Sequence, residues 1–159
     1  MGKNDAAKFM KKAIRLSVAN VEKGNGGPFG AIVVKEGKVI ARGVNKVTST
    51  NDPTAHAEVV AIRKACKVLK TYQLTGCEIY TSCEPCPMCL AAIYWSRPDK
   101  IFFAGSKEDA AAIDFDDKLI YEEIAKPIAE RKIFTQQLLR DEALEAFRKW
   151  NESPNKIEY

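Results

Sequence analysis

Apolar positions along the first third of the chain repeat at two different spacings. Residues 5–22 carry Phe9, Ala13, Leu16 and Val21 at helical intervals, with Lys8, Lys11, Lys12 and Arg15 on the opposite side. This pattern predicts an amphipathic helix with a solvated basic face. Gly24-Asn25-Gly26-Gly27-Pro28 ends it, because glycine freedom and a fixed proline φ break the period. Ala31-Ile32-Val33-Val34 and Val39-Ile40-Ala41 then read as antiparallel strands joined at Lys35-Glu36-Gly37-Lys38. A polar loop from Thr48 to Pro53 leads into a helix carrying Val59, Ile62, Ala65, Cys66 and Leu69, with Asp52 or Thr54 as its expected cap. Glu78 to Thr81 predicts a strand, Pro85 or Pro87 opens a helix running to about Ser96, and Lys100 to Ala104 predicts a further strand. Beyond Gly105, helices are expected near 118–126 and 141–151 around a strand at 132–138. Strands alternating with helices make this an α/β sandwich.

The chain has 159 residues, 46% of them hydrophobic, which suits one domain over 1–159. No apolar run is long enough for a membrane span and no secretory leader is visible, so a cytoplasmic protein is expected. The formal net charge of +4 is unevenly spread. Residues 1–70 hold 14 Lys and Arg against 5 Asp and Glu, and the remainder holds 11 against 16. The basic excess lacks interleaved aromatics, and residues 141–159 carry three basic against five acidic side chains, which argues against a nucleic-acid partner.

Chemistry enters with His56-Ala57-Glu58 and Pro85-Cys86-Pro87-Met88-Cys89. One imidazole and two thiolates are zinc ligands, and a catalytic zinc site keeps a fourth position for water. Glu58 beside them can move protons, so the pair of motifs points to hydrolytic deamination at an amidine-like carbon. Both motifs place ligands at helix starts, where the dipole favours thiolates. Two readings compete. Cys83 could join His56, Cys86 and Cys89 in a closed structural site, or the cysteines could be reduced core residues with no metal. Five cysteines, three of them clustered, fit thiol ligands better than disulfides, and leave Cys66 and Cys77 as expected buried thiols.

Three segments together resemble the cytidine-deaminase-like superfamily: Gly26-Gly27-Pro28-Phe29-Gly30-Ala31, Asn51 to Glu58, and Thr81 to Cys89. Phe115-Asp116-Asp117 and the ending Lys156-Ile157-Glu158-Tyr159 bring the chain nearest to the small bacterial guanine deaminases. The resemblance implies a three-layer α/β/α sandwich around a mixed five-stranded sheet, in a homodimer that exchanges C-terminal segments. It implies one Zn2+ per subunit on His56, Cys86 and Cys89, with Cys83 off the metal and Glu58 as catalytic proton shuttle. It assigns Asn45, Phe29, Ala57, Asp117 and Tyr159 to binding guanine, Asn45 at the ring edge and Phe29 at the pocket wall. From the residues alone, Asp117 also reads as a solvated or capping carboxylate, Tyr159 as a frayed terminus, and Trp95 as core or pocket rim. Guanosine deaminases and tRNA adenosine deaminases share the zinc motifs and remain the rival activities.

Overall fold

A central sheet is built from β1 (Gly30–Lys35), β2 (Lys38–Val44), β3 (Cys77–Cys83) and β4 (Lys100–Gly105) in the order β2-β1-β3-β4. The computed structural model describes residues 3–159. β1 is antiparallel to both β2 and β3, while β3 and β4 are parallel, so the sheet is mixed. Glu36 and Gly37, both at positive φ (48° and 71°), make the two-residue turn between β1 and β2, a backbone whose twist matches that of a hairpin.

Alternation along the strands sorts side chains into two cores. Ile32, Val34 and Tyr80 meet Phe9 and Ala13 of α1 (Lys3–Glu22) on one face. Tyr80 is sandwiched there, 5.5 Å from the Phe9 ring and stacked on Phe102 at 4.7 Å. On the other face, Ala31, Val33, Cys77 and Ile79 pack with Ala57, Ala61 and Ala65 of α3 (Ala57–Leu69) and Ile93 of α4 (Pro87–Ser96). Val21, expected on the buried face of α1, is instead 52% exposed, because the buried stripe runs through Phe9, Ala13, Ser17 and Asn20 and Val21 falls to its side.

Gly43 decides how closely α3 can lie on β2. A Cβ there would sit 2.0 Å from Ala57 O and 2.7 Å from Ala61 N, so the first turn of α3 rests directly on the strand backbone. The consequence is positional, since that turn carries His56 and Glu58.

The expected sheet of five strands is corrected to four. Residues 132–138 form no strand, and Ile133, Phe134 and Leu138 are exposed. Their side chains favour β structure, but a strand also needs a neighbour to complete its ladder. The expected cap of α3 is corrected as well. Thr54 donates to Asp52 Oδ1 through both its backbone N–H (2.8 Å) and its hydroxyl (2.7 Å), forming a turn ahead of the helix, and His56 takes the N-cap position. Two short helices, α2 (Val47–Thr50) and α5 (Lys107–Ala111), fall within stretches expected to be irregular. The chain divides into two compact units, one ending at Asp117 and one spanning Lys118–Tyr159. The second holds α6 (Lys118–Ala125), a 3-10 turn at Ile128–Glu130 and α7 (Arg140–Glu152).

Candidate metal centre and active site

The antiparallel and parallel pairings bring one end of each strand to a single edge of the sheet. Phe29 precedes β1, Asn45 follows β2, and Cys83 closes β3; Asn45 N–H donates to Phe29 O at 3.1 Å, and Gly30 N–H to Ser82 Oγ at 3.0 Å. The N-termini of α3 and α4 open at the same edge, with His56 and Cys86 as their N-cap residues and Pro87 in the first helical position. Neither N-cap side chain caps its own helix. Both are turned to each other instead.

His56 Nδ1 lies 3.6 Å from Cys86 Sγ and 3.5 Å from Cys89 Sγ. All three donor atoms lie within 4.8 Å of one another. Zinc–sulfur and zinc–nitrogen bonds at a tetrahedral angle span an N···S edge of about 3.6 Å, so the spacing fits zinc. Cys83 does not join them. Its thiol donates to Ser106 O at 3.4 Å, and burial pushes its pKa up to about 11. A closed four-ligand site is therefore not what the fold builds, and the metal-free core reading fails with it, since His56 and Cys86 are only partly buried and face each other.

Glu58 is 5% exposed and sits in the first turn of α3. Thr81 Oγ1 donates to its Oε1 at 3.1 Å, and the Cys89 thiol donates to its Oε2 at 3.5 Å. Burial raises the Glu58 pKa above the usual carboxylate range, against the opposing pull of these hydrogen bonds. The two thiols behave as a coupled pair. Cys86 is lowered by the neighbouring Cys89 thiol and by His56, and Cys89 is raised and retains the proton, which it gives to Cys86 or to Glu58 Oε2 but not to both at once. His56 in turn is raised, first by its hydrogen bond with Cys86. A bound divalent cation takes both sulfurs as thiolates and releases that proton.

Around this centre the remaining expected residues fall into place unevenly. Asn45 is nearly buried, and its Oδ1 accepts from the backbone N–H of Gly27 (3.3 Å) and Val47 (3.2 Å). Two backbone donors fix which end of the amide is oxygen, so Nδ2 is the half left for a ligand. Phe29 is half-buried and meets Phe115 edge-to-face, with centroids 5.0 Å apart. The Ala57 side chain is fully buried, which leaves its backbone N–H, first in the helix, as its free polar group among the described residues. Asp117 is half-buried, and its carboxyl is raised by burial and then by the negative charge of Cys86. It therefore sits within electrostatic reach of the metal ligands of its own chain. Tyr159 belongs to the second unit, where it is exposed. Trp95 is 64% exposed, so it is not core.

Sequence reasoning missed Thr81 and Phe115. Thr81 could have been found by alternation, since positions 77, 79, 81 and 83 of β3 share the face on which α3 packs. Phe115 stands two residues before Asp117, but nothing local in the sequence pairs it with Phe29.

The family described as the cytidine and deoxycytidylate deaminase zinc-binding region matches residues 3–105. The chain is 57% identical over 151 residues to the guanine deaminase of Bacillus subtilis (strain 168), covering 95% of this chain and 97% of that protein. The X-ray structure of guanine deaminase from Bacillus subtilis superposes with a TM-score of 0.94 at 55% identity, covering 100% of this chain and 99% of that one. A tRNA-specific adenosine deaminase of Aquifex aeolicus (strain VF5) is 48% identical over 96 residues, covering 60% of this chain and 63% of that protein.

Proposed function

This chain belongs to the cytidine and deoxycytidylate deaminase zinc-binding family and, within it, to the bacterial guanine deaminases, and from that premise we propose that it hydrolyses guanine to xanthine and ammonia with Glu58 as its proton carrier. The observation that carries this reading is the convergence of His56, Cys86 and Cys89 on one point with the buried Glu58 carboxylate 3.5 Å from Cys89. These three side chains hold one zinc ion per subunit, which lowers the pKa of a bound water to about 7.

Glu58 accepts a proton from the water that adds to C2 of the purine and delivers it to the ring nitrogen beside C2. It then moves a second proton to the exocyclic amine, the C2–N bond breaks, and ammonia leaves as the carbonyl of xanthine forms. Burial raises the Glu58 pKa, which brings it closer to what an acid and base working near neutral pH requires. Asn45 donates from Nδ2 to an acceptor on the ring edge, Asp117 accepts from guanine N–H groups, Phe29 supplies a flat apolar wall, and Ala57 offers its backbone N–H. Tyr159 closes the pocket.

The protein works as a homodimer in which C-terminal segments are exchanged. Ile133, Phe134, Leu138, Leu139 and Phe147 of the second unit are 68–85% exposed in the single chain, the kind of apolar surface that marks an interface. All five cysteines are free, which suits a reducing cytoplasm. Among the described residues, no helix is long and apolar enough to cross a membrane.

The test is ammonia release by zinc-loaded protein from guanine, guanosine, adenine, cytosine, cytidine and a tRNA anticodon stem. Turnover of guanine alone is the expected result. Turnover of guanosine or the RNA stem instead would overturn the pocket assignment, and silence on every substrate with zinc bound would overturn the enzyme.

A further inference from the structure

Asn20 lies near the end of α1, away from the metal ligands, and is 2% exposed. Its Nδ2 donates twice, to Gly27 O and to Asn45 O, each at 2.9 Å. Its Oδ1 is buried with no partner among the described residues, so the donors are the engaged half of the amide. An amide buried in a helix costs stability unless its polar atoms are used. Here the use is to join three segments.

Those segments are the ones that carry the proposed ring-edge donor and the pocket wall. Gly27 N–H donates back to Asn45 Oδ1 at 3.3 Å, and Asn45 N–H donates to Phe29 O at 3.1 Å. Asn20, Gly27 and Asn45 thus form a closed ring of hydrogen bonds around the base of the loop bearing Phe29. The ring has no slack, since a Cβ on Gly26 would lie 2.6 Å from Asn45 O and 2.9 Å from Asn45 Oδ1.

From this geometry we infer that Asn20 is a positioning residue for the substrate: its two N–H groups hold Asn45 and the Gly27–Phe29 loop at the one spacing that aims Asn45 Nδ2 into the pocket. The inference rests on the guanine reading of the site. Without those donors, Gly27 O and Asn45 O each lose a partner, Gly27 N–H drifts from Asn45 Oδ1, and the free half of the Asn45 amide loses its direction. The zinc ligands are on other elements and are untouched.

The test is a double-mutant cycle on the full-length, zinc-loaded protein with guanine. Asn20→Leu fills a similar volume and removes both donors; Asn20→Ser leaves one shorter hydroxyl donor in their place. Asn20→Leu is expected to retain one zinc per chain while kcat/KM falls by up to about a hundredfold, the cost of a small misplacement remote from the chemistry. Most of the loss should lie in KM, with N20S between N20L and the unmodified protein. Because Asn20 acts through Asn45, N20L/N45A should match N45A within about twofold. If N20L does not fold, N20S carries the same cycle. Losses that simply add, or an unchanged KM in the Asn20 variant, would reduce Asn20 to a structural tie even with N45A defective. An N45A protein as fast as the unmodified one would overturn the ring-edge role of Asn45, and this inference with it.

Discussion

Glu58 has two side-chain donors, Thr81 on Oε1 and Cys89 on Oε2. Metal binding turns Cys89 into a thiolate, which has no proton to give. Thr81 is then the remaining side-chain donor, holding one oxygen so that the other faces the reacting water. Glu58→Gln should keep zinc and lose turnover by about two to four orders of magnitude, because an amide cannot accept the proton; a zinc-replete Gln variant with normal guanine turnover would remove Glu58 from the mechanism. Thr81→Val preserves shape and deletes the hydroxyl, a change of roughly 1–2 kcal/mol, or about tenfold in rate. It should lower kcat more than it alters KM, and Thr81→Ser should restore most of it. The thiols give a pH test on zinc-stripped protein. Cys86 is lowered by Cys89 and His56, so from about pH 5 to 8 its alkylation should be faster and less dependent on pH than that of a free cysteine. Cys83, pushed up to about 11, should react little over the same span and gain rate with each rise in pH. Peptide mass spectrometry reads both, and zinc should protect Cys86. The ligands were legible as residue types at motif spacing. Thr81 was within reach of the alternation along β3, whereas Asn20 was not, because it matters through a loop approach that no short stretch of sequence encodes.

At the scale of elements, the site depends on two helix starts held against one sheet edge. Gly43 sets one of them. A methyl group there would press on Ala57 O and Ala61 N, both backbone atoms with no freedom to swing aside. Gly43→Ala should therefore lift the first turn of α3 and carry His56 and Glu58 with it. An overpacking cost of roughly 1–3 kcal/mol, at about 2–4 °C for each kcal/mol in a chain of this size, predicts a Tm lowered by several degrees. Zinc should be lost to a chelator more readily, and a variant with unchanged Tm and zinc retention would show that α3 does not need this seat. The hairpin and the longer helices were readable because their signals are local: a two-residue turn containing Gly37, a glycine-rich stop after α1, and Pro87 at the first position of α4. α2 and α5, of four and five residues, are too short to show a period. Residues 132–138 misled for the opposite reason. Their composition is that of a strand, yet strand formation is decided by a neighbour, and neighbours are not local.

The whole molecule raises the question of where the C-terminal residues act. The exposed apolar side chains of the second unit support burial against a second copy of the chain, and an exchanged C-terminal segment would give each active site its Tyr159 from the partner. Complementation separates this arrangement from one in which each chain supplies its own tyrosine. If Glu58 carries the proton and Tyr159 closes the pocket, each homodimer of Glu58→Gln or of Tyr159→Ala should be nearly inactive on guanine. When the two proteins are unfolded and refolded together in equal amounts, half of the dimers should be mixed. In an exchanged mixed dimer, the subunit that keeps Glu58 receives Tyr159 from the Glu58→Gln chain, which makes one complete site in two. Activity should then return to about a quarter of the unmodified level, half the dimers each with half their sites. If each chain closes its own pocket, no site in the mixture has both residues and activity stays at the level of the parents. Light scattering on the same samples tests the dimer itself, and a monomer fully active on guanine would overturn exchange whatever the mixture does.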